Sequence, residues 1–270
     1  MKFIRKILVK VFGLKGYLRL VSKVYIICIS YGLMRKKYSE LFFIKKLVKP
    51  GDHVLDIGAN LAYYSFFMTV SAGKKGKLIA VEPIPLFAEV WKKNMRSLKG
   101  YDYTLVNCAL GNEPKEKVKM SIPIVDGIVR HGLTKVVDTS TTLSTSENDS
   151  NSTVALSFEV PMKNGDSLMQ ELKIDRLDFI KCDVEGFEQY VIPSLSTTIQ
   201  QQLPILQIEL SGNENRSAVA DFLVNLSYDI FILKDDLLNS IQKNDIFSIN
   251  QDFYFIHQTK IEQSKYLIKH

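Results

Sequence analysis

The nine residues Val54-Leu55-Asp56-Ile57-Gly58-Ala59-Asn60-Leu61-Ala62 constrain this chain more than any other segment. An apolar run of strand character ends in an acid, passes through a glycine turn and enters Tyr63-Tyr64-Ser65-Phe66-Phe67-Met68, which reads as a helix. Strand, turn and helix in that order open a β-α-β unit, and the chain continues in kind. From residue 51 onward short β-rich runs alternate with helical periodicity, with strands expected at 53–57, 78–81, 103–109, 177–182, 205–210, 229–233 and 253–257. Near-continuous apolar stretches such as Leu177-Asp178-Phe179-Ile180 fit burial on both sheet faces. The expected fold is therefore α/β, doubly wound around a seven-stranded, mostly parallel sheet. Residues 111–160 break the rhythm with Pro114, Pro123, Gly127 and a polar tract, and their flanks 118–122 and 156–160 alternate as half-exposed strands do. They read as an inserted antiparallel β-arm. The division expected along the 270 residues is a helical extension over 1–37, one α/β domain over 38–260 and a tail over 261–270.

The glycine turn suggests its own ligand. Gly58 lets the backbone approach a bound molecule, and the helix that follows offers free N–H groups. Glu82 closes the second strand in Ile79-Ala80-Val81-Glu82-Pro83, where a carboxylate can accept bonds from both hydroxyls of an adenosine ribose. A dinucleotide would need G-x-G-x-x-G to seat its pyrophosphate, and only Gly58 is glycine in this turn. Asp56 would repel a pyrophosphate, yet it suits a ligand with a positive amino group and a sulfonium, as in S-adenosylmethionine. The plain alternative is that Asp56 and Gly58 only make a tight turn.

Three blocks resemble the FkbM family of S-adenosylmethionine-dependent methyltransferases. They are Lys49-Pro50-Gly51-Asp52 leading to Asp56-Ile57-Gly58-Ala59-Asn60, then Glu82-Pro83 with Pro85, and the run from Leu177 to Glu188 containing Asp183-Val184-Glu185-Gly186. The resemblance covers residues 38–257 and implies a Rossmann-like class I methyltransferase that holds its cofactor through Asp56, Gly58, Asn60, Glu82 and Pro83. It implies methylation of a hydroxyl on a sugar, a glycan or glycolipid, or a secondary metabolite. The rival readings are an N- or protein methyltransferase and a non-catalytic adaptor that docks on membranes. Ala62 departs from the family's glycine. On a helix, an alanine there would be tolerated.

Asp183, Glu185 and Glu188 follow the fourth strand, so they belong at the carboxyl edge of the sheet beside the cofactor. Methyl transfer to a hydroxyl needs alignment of oxygen, methyl and sulfur, and a group to take the proton. Asp183 is the first candidate for that group and Glu185 the second; either could instead hold a divalent cation. His131, in Arg130-His131-Gly132 of the insertion, is a further candidate base. Glu209 is a candidate to line the acceptor side, and Glu188 suits a helix N-terminus.

Charge separates the ends of the chain. Residues 1–50 carry 13 Lys and Arg against the single acid Glu40, so the other 220 residues are net −6 although the chain is net +6. A mildly acidic body argues against a nucleic-acid partner. Ile4, Ile7, Leu8, Val11, Leu14, Leu18 and Val21 recur at helical spacing among basic residues. This amphipathic helix fits peripheral contact with an anionic membrane through residues 1–36, or equally a helix that caps the domain. The longest uncharged run there, between Lys23 and Arg35, is too short to span a bilayer. Cys28, Cys108 and Cys182, widely spaced amid apolar neighbours, read as reduced thiols of a cytoplasmic protein.

Overall fold

Side chains along the first strand alternate between two apolar clusters: Leu55 and Ile57 enter one, Val54 the other. A strand buried on both faces needs helices on both, and the computed structural model, which describes residues 2–125, 128–129, 135–137 and 154–269, supplies them. In chain order come α1 (Lys2–Ser30), α2 (Ser39–Leu47), β1 (His53–Ile57), α3 (Tyr63–Ala72), β2 (Lys77–Val81), α4 (Pro85–Met95), β3 (Asp102–Val106) and β4 (Ala109–Leu110). Then follow β5 (Lys115–Val125), β6 (Ile128–Val129), β7 (Lys135–Val137), β8 (Val154–Lys163), α5 (Gly165–Glu171), β9 (Phe179–Cys182), α6 (Glu188–Val191) and α7 (Ser196–Gln202). The chain closes with β10 (Ile205–Ile208), α8 (Asn213–Asn225), β11 (Tyr228–Lys234), β12 (Leu237–Ser240) and β13 (Phe253–His257).

The main sheet has the order β12-β11-β13-β10-β9-β1-β2-β3, parallel from β10 to β3 and antiparallel from β13 outward. Helices α2, α3 and α4 cover one face and α5 to α8 the other. All seven expected strands are present, and β12 is an eighth. It is joined to β11 by the two-residue turn Asp235-Asp236, whose φ values of 55° and 61° give the left-handed pair that a tight hairpin requires. Aspartate adopts that backbone less often than Asn-Gly, so the turn carries no strong sequence signal. The run expected as one strand over 103–109 breaks after Val106, and Ala109–Leu110 pairs instead with β8 in a second sheet.

That second sheet runs β4-β8-β5-β6, with β7 on β5. Residues Val118 to Ile122 pair antiparallel with Leu156 to Val160, residue for residue. Val118, Met120, Ile122 and Val160 point inward onto Phe87 and Val90 of α4 and Leu18 of α1. This alternation is what fixes the register, since a one-residue slip would expose every one of them.

Helix α1 is kinked at Gly13 (φ 66°, ψ 169°). Beyond the kink Tyr17, Leu18, Ile26 and Ile29 are buried on the domain, and Asn94 of α4 donates to Ser22 Oγ at 2.7 Å and to the Leu61 carbonyl at 2.8 Å. Before it Ile4, Ile7, Val11 and Phe12 remain exposed.

Ala62 does not lie on the helix as expected. It precedes α3 in the left-handed region (φ 74°), which explains the glycine of the resembling family. A left-handed alanine costs about 1–2 kcal/mol. Its buried methyl returns about 0.8 kcal/mol and a glycine would add about 0.5–1 kcal/mol of chain entropy cost. These oppose each other, so Ala62→Gly is expected to move the melting temperature by less than about 4 °C in a thermal scan.

Candidate active site

Gly58 and Ala59 both donate to the Val81 carbonyl, at 3.0 and 3.1 Å, which folds the turn over the end of β2. Gly58 has φ 81°, and a Cβ there would run into the Asp183 carbonyl. Asn60, also left-handed at φ 46°, donates its N–H to Glu82 Oε2 at 2.7 Å, and Ile84 donates to Oε1 at 2.8 Å. The Glu82 carboxylate is 3% exposed, and burial pushes its pKa up to about 7 in spite of the two N–H bonds. Asn60 Oδ1 is buried and has no partner among the described residues.

Gly58, Asn60, Glu82 and Pro83 line one cleft with Phe87, Met120, Asp183, Val184 and Glu185. Asp56 is the exception among the residues expected to hold the cofactor. It is 1% exposed, lies behind the turn and accepts a short bond from Ser65 Oγ, which in turn accepts from Trp91 Nε1 at 2.7 Å. Its side chain follows the pleat of β1 onto the Val54 face, into the α3 and α4 layer and away from the cleft. Burial lifts its pKa to about 6, with the Ser65 bond and Lys181 opposing.

Asp183 follows β9, and its N–H donates to the Ile57 carbonyl at 3.0 Å. Glu185 (φ 56°) and Gly186 (φ 92°) make the turn beyond it. Glu188 is fully buried and braces that turn: Oε1 accepts from the N–H of Val184 at 3.0 Å and of Gly186 at 3.3 Å, and Oε2 from Asn215 Nδ2 at 2.6 Å. It is the first residue of α6.

Beneath Asp183 a polar row crosses the sheet, because Asp56, Lys181, Gln207 and Tyr254 are register partners on one face. Lys181 is 1% exposed, with Nζ at 3.2 Å from Asp252 Oδ2, 3.9 Å from Asp183 Oδ2 and 5.0 Å over the Tyr64 ring. Burial alone would lower its pKa, but the charges of Asp252, Asp183 and Glu209 hold it above the usual value. Around this one cation the acids are crowded. Burial lifts Glu40 to about 7, aided by Asp252, and lifts Glu209 to about 8, aided by Asp183.

A second cavity of about 340 Å³ opens on the other side of the turn and shares Gly58, Asn60 and Asp183 with the cleft. Tyr17, Tyr25, Tyr38, Tyr63 and Tyr64 line it. Sequence reasoning missed these tyrosines, Met120 of the insertion and the Lys181–Asp252 pair. Tyr63 and Tyr64 were visible at the start of α3, whereas nothing local ties Asp252 to residue 181. His131 lies outside the described residues. Among the described residues no group of three or more His, Cys, Asp or Glu is placed to hold a metal ion.

A glycine turn over a parallel sheet, an acid closing β2 and an acid closing β9, all on one cleft, define a Rossmann-like methyltransferase site. The methyltransferase FkbM domain matches residues 56–233, and the chain belongs to that family of S-adenosylmethionine-dependent methyltransferases. It is 36% identical over 70 residues to protein-L-isoaspartate O-methyltransferase 1 of Archaeoglobus fulgidus, covering 25% of this chain and 32% of that one. It is 38% identical over 65 residues to protein-L-isoaspartate O-methyltransferase of Methanococcus aeolicus, covering 24% and 29%. The chain thus spans about a third of the length of these curated relatives. Among solved structures it is similar to precorrin-6y C5,15-methyltransferase of Geobacter metallireducens (TM-score 0.41, 13% identity, 80% and 83% covered). It is also similar to Aeropyrum pernix fibrillarin with bound S-adenosyl-L-methionine (TM-score 0.41, 11% identity, 78% and 68% covered).

Proposed function

We propose that this methyltransferase acts on oxygen, transferring the methyl group to a hydroxyl of a sugar, glycan or glycolipid. The observation that carries this reading is that Asp183 lines both the cleft that ends at Glu82 and the cavity across the turn. The residues fit the methyl donor: the unpartnered Asn60 Oδ1 is an acceptor for an ammonium, the Gly58 turn leaves room for close approach, and Glu82 has lone pairs left for ribose hydroxyls. Gly58, Asn60, Glu82 and Pro83 bind the donor, with Phe87 and Met120 as its apolar walls; Asp56 acts through the turn it underlies. When bound, S-adenosylmethionine supplies an electrophilic methyl on a sulfonium. Asp183 would accept the proton of the acceptor hydroxyl while the bound donor supplied the methyl group. Glu185 lines the same cleft and orients the acceptor. The two archaeal relatives are themselves named as O-methyltransferases.

Calorimetric titration with S-adenosylmethionine tests the donor site. Micromolar binding, lost in Glu82→Ala, is the expected result; equal binding by that variant would remove Glu82 from the site. Affinity for the cationic donor is expected to rise between about pH 6 and 8, as Asp56, Glu82 and Glu209 ionise, and to rise less for the uncharged-sulfur product S-adenosylhomocysteine. The sign for stability is opposite. A carboxyl whose pKa is raised on folding favours the fold below its ordinary value, so the free protein loses stability as pH climbs from about 4.5 through 8.

The membrane reading of α1 is part of the proposal. Among the described residues 15 large apolar side chains are exposed, and 10 of them lie within 4–34, beside Lys6, Lys10, Arg19 and Lys23. No helix among the described residues is long and apolar enough to cross a membrane. Flotation of the full chain with phosphatidylglycerol vesicles is expected to show binding that about 0.5 M salt removes and that phosphatidylcholine vesicles do not give. Equal recovery with both lipids would reject an electrostatic dock.

A further inference from the structure

Helix α1 presents different chemistry on different sides. One side, with Tyr17, Val21 and Tyr25, lines the cavity that contains Asp183. On the opposite side Arg19 and Lys23 meet Lys93 of α4 and Arg96 just beyond it across a groove of about 530 Å³. Ile26, Ile27 and Phe66 give this groove an apolar lining, and the bond from Asn94 to Ser22 Oγ ties its two helices together. No acid lines it, and among the described residues none of the four cationic side chains has a hydrogen bond or an ion pair. Glu89, one turn before Lys93, is already taken by Lys15. The charges of Lys15, Arg19 and Arg96 together lower the Lys93 pKa, as like charges held side by side must. A helix dipole accounts for Lys93 and Arg96 at the C-terminal end of α4, but not for Arg19 and Lys23 in the middle of α1. Beside the groove Leu20, Val24, Ile27 and Tyr31 recur at helical spacing as an exposed apolar stripe. Cations without counter-charges fit a multiply charged anion, and an apolar stripe next to them fits the acyl layer of a membrane.

Resting on the membrane reading of α1 above, we infer that the groove between α1 and α4 is a site for a lipid headgroup carrying two phosphates, whose acyl chains lie against the apolar stripe. Arg19 and Lys23 hold the headgroup from α1, and Lys93 and Arg96 hold it from the domain. The membrane contact then extends from one helix to the folded body, with the lipid bridging the two. A headgroup bound here lies one helix away from the cavity that contains Asp183, so it sets how the candidate active site faces the bilayer.

The test is flotation of the full chain with phosphatidylcholine vesicles that carry either cardiolipin, with two phosphates, or phosphatidylglycerol, with one, mixed to equal surface charge. Cardiolipin vesicles are expected to bind at least about fivefold more tightly. Lys93→Gln with Arg96→Gln should bring that ratio to about one, whereas Lys92→Gln with Lys99→Gln, the same loss of charge outside the groove, should keep it. S-adenosylhomocysteine affinity should be unchanged in both double variants. Equal binding of the two vesicle types, or a ratio that the outer pair abolishes as fully as the groove pair, overturns the site and leaves the electrostatic dock of α1 standing. Binding of neither vesicle removes the site and the membrane reading together. Inorganic pyrophosphate or an oligoribonucleotide that binds through Lys93 and Arg96, while the vesicles show no preference, would make the groove a site for soluble polyanions and overturn the lipid assignment.

Discussion

Asp183→Asn is expected to lower the rate of methyl transfer by about 10²- to 10⁴-fold, with S-adenosylmethionine affinity unchanged. An amide keeps the size and one acceptor oxygen of the carboxylate but cannot take up a proton, so what it removes is proton transfer in the reaction, not binding. The loop should survive the change. Its position is set by the Asp183 N–H bond to Ile57 and by Glu188 below it, while the side-chain pair with Lys181 is long, at 3.9 Å, and 31% of the Asp183 side chain is exposed. Single-turnover transfer from labelled donor, compared with calorimetric donor affinity, separates the two effects. A loss below about fivefold would take the proton acceptor role away from Asp183 and point to Glu185 or Glu209. A matching loss of donor affinity would make Asp183 a binding residue only.

Lys181→Met is expected to cost about 3–5 kcal/mol of stability, which for a chain of this size lowers the melting temperature by about 10 °C. The reason is what stays behind. Asp252 is buried and would keep, among the described residues, Gln207 Nε2 at 2.7 Å as its side-chain partner, while Asp183, Glu209 and Glu40 would lose the cation they share. The double variant Lys181→Met with Asp252→Leu removes both charges and should regain at least half of the loss, because two well-packed apolar groups can replace a buried pair at little cost. A single variant within about 1 kcal/mol of the parent in denaturant unfolding would show that the row is solvated or protonated and holds nothing together. Since Lys181 also underlies Asp183, the variant should shift the pH at which transfer is half-maximal, an effect that loss of stability alone does not produce.

Much of this arrangement was legible in the sequence, because it depends on neighbours along the chain. The apolar run ending at Ile57, the glycine at 58 and the acid at 82 mark a strand, a turn and a second strand end. Val118 to Ile122 and Leu156 to Val160 reveal a paired arm because one face of each must be buried. The errors fall where a residue's surroundings are set from elsewhere. Asp56 carries the right chemistry for a cationic ligand, yet the pleat of β1 turns it toward Ser65 and Trp91. Ala62 looks like a helix residue until the backbone is seen to be left-handed there.

Periodicity, glycine and short-range spacing belong to a local stretch of chain, so the doubly wound sheet, the glycine turn and the acid after β9 can be read from the sequence. Only the packed chain shows that Lys181 pairs with Asp252, that Met120 of the insertion lines one cleft with Gly58 and Glu82, and that the kinked α1 brings Tyr17 and Tyr25 into one cavity with Asp183. These contacts join residues 71, 62 and more than 150 positions apart. They follow from how helices and sheets bury their apolar faces against one another, which no local pattern records.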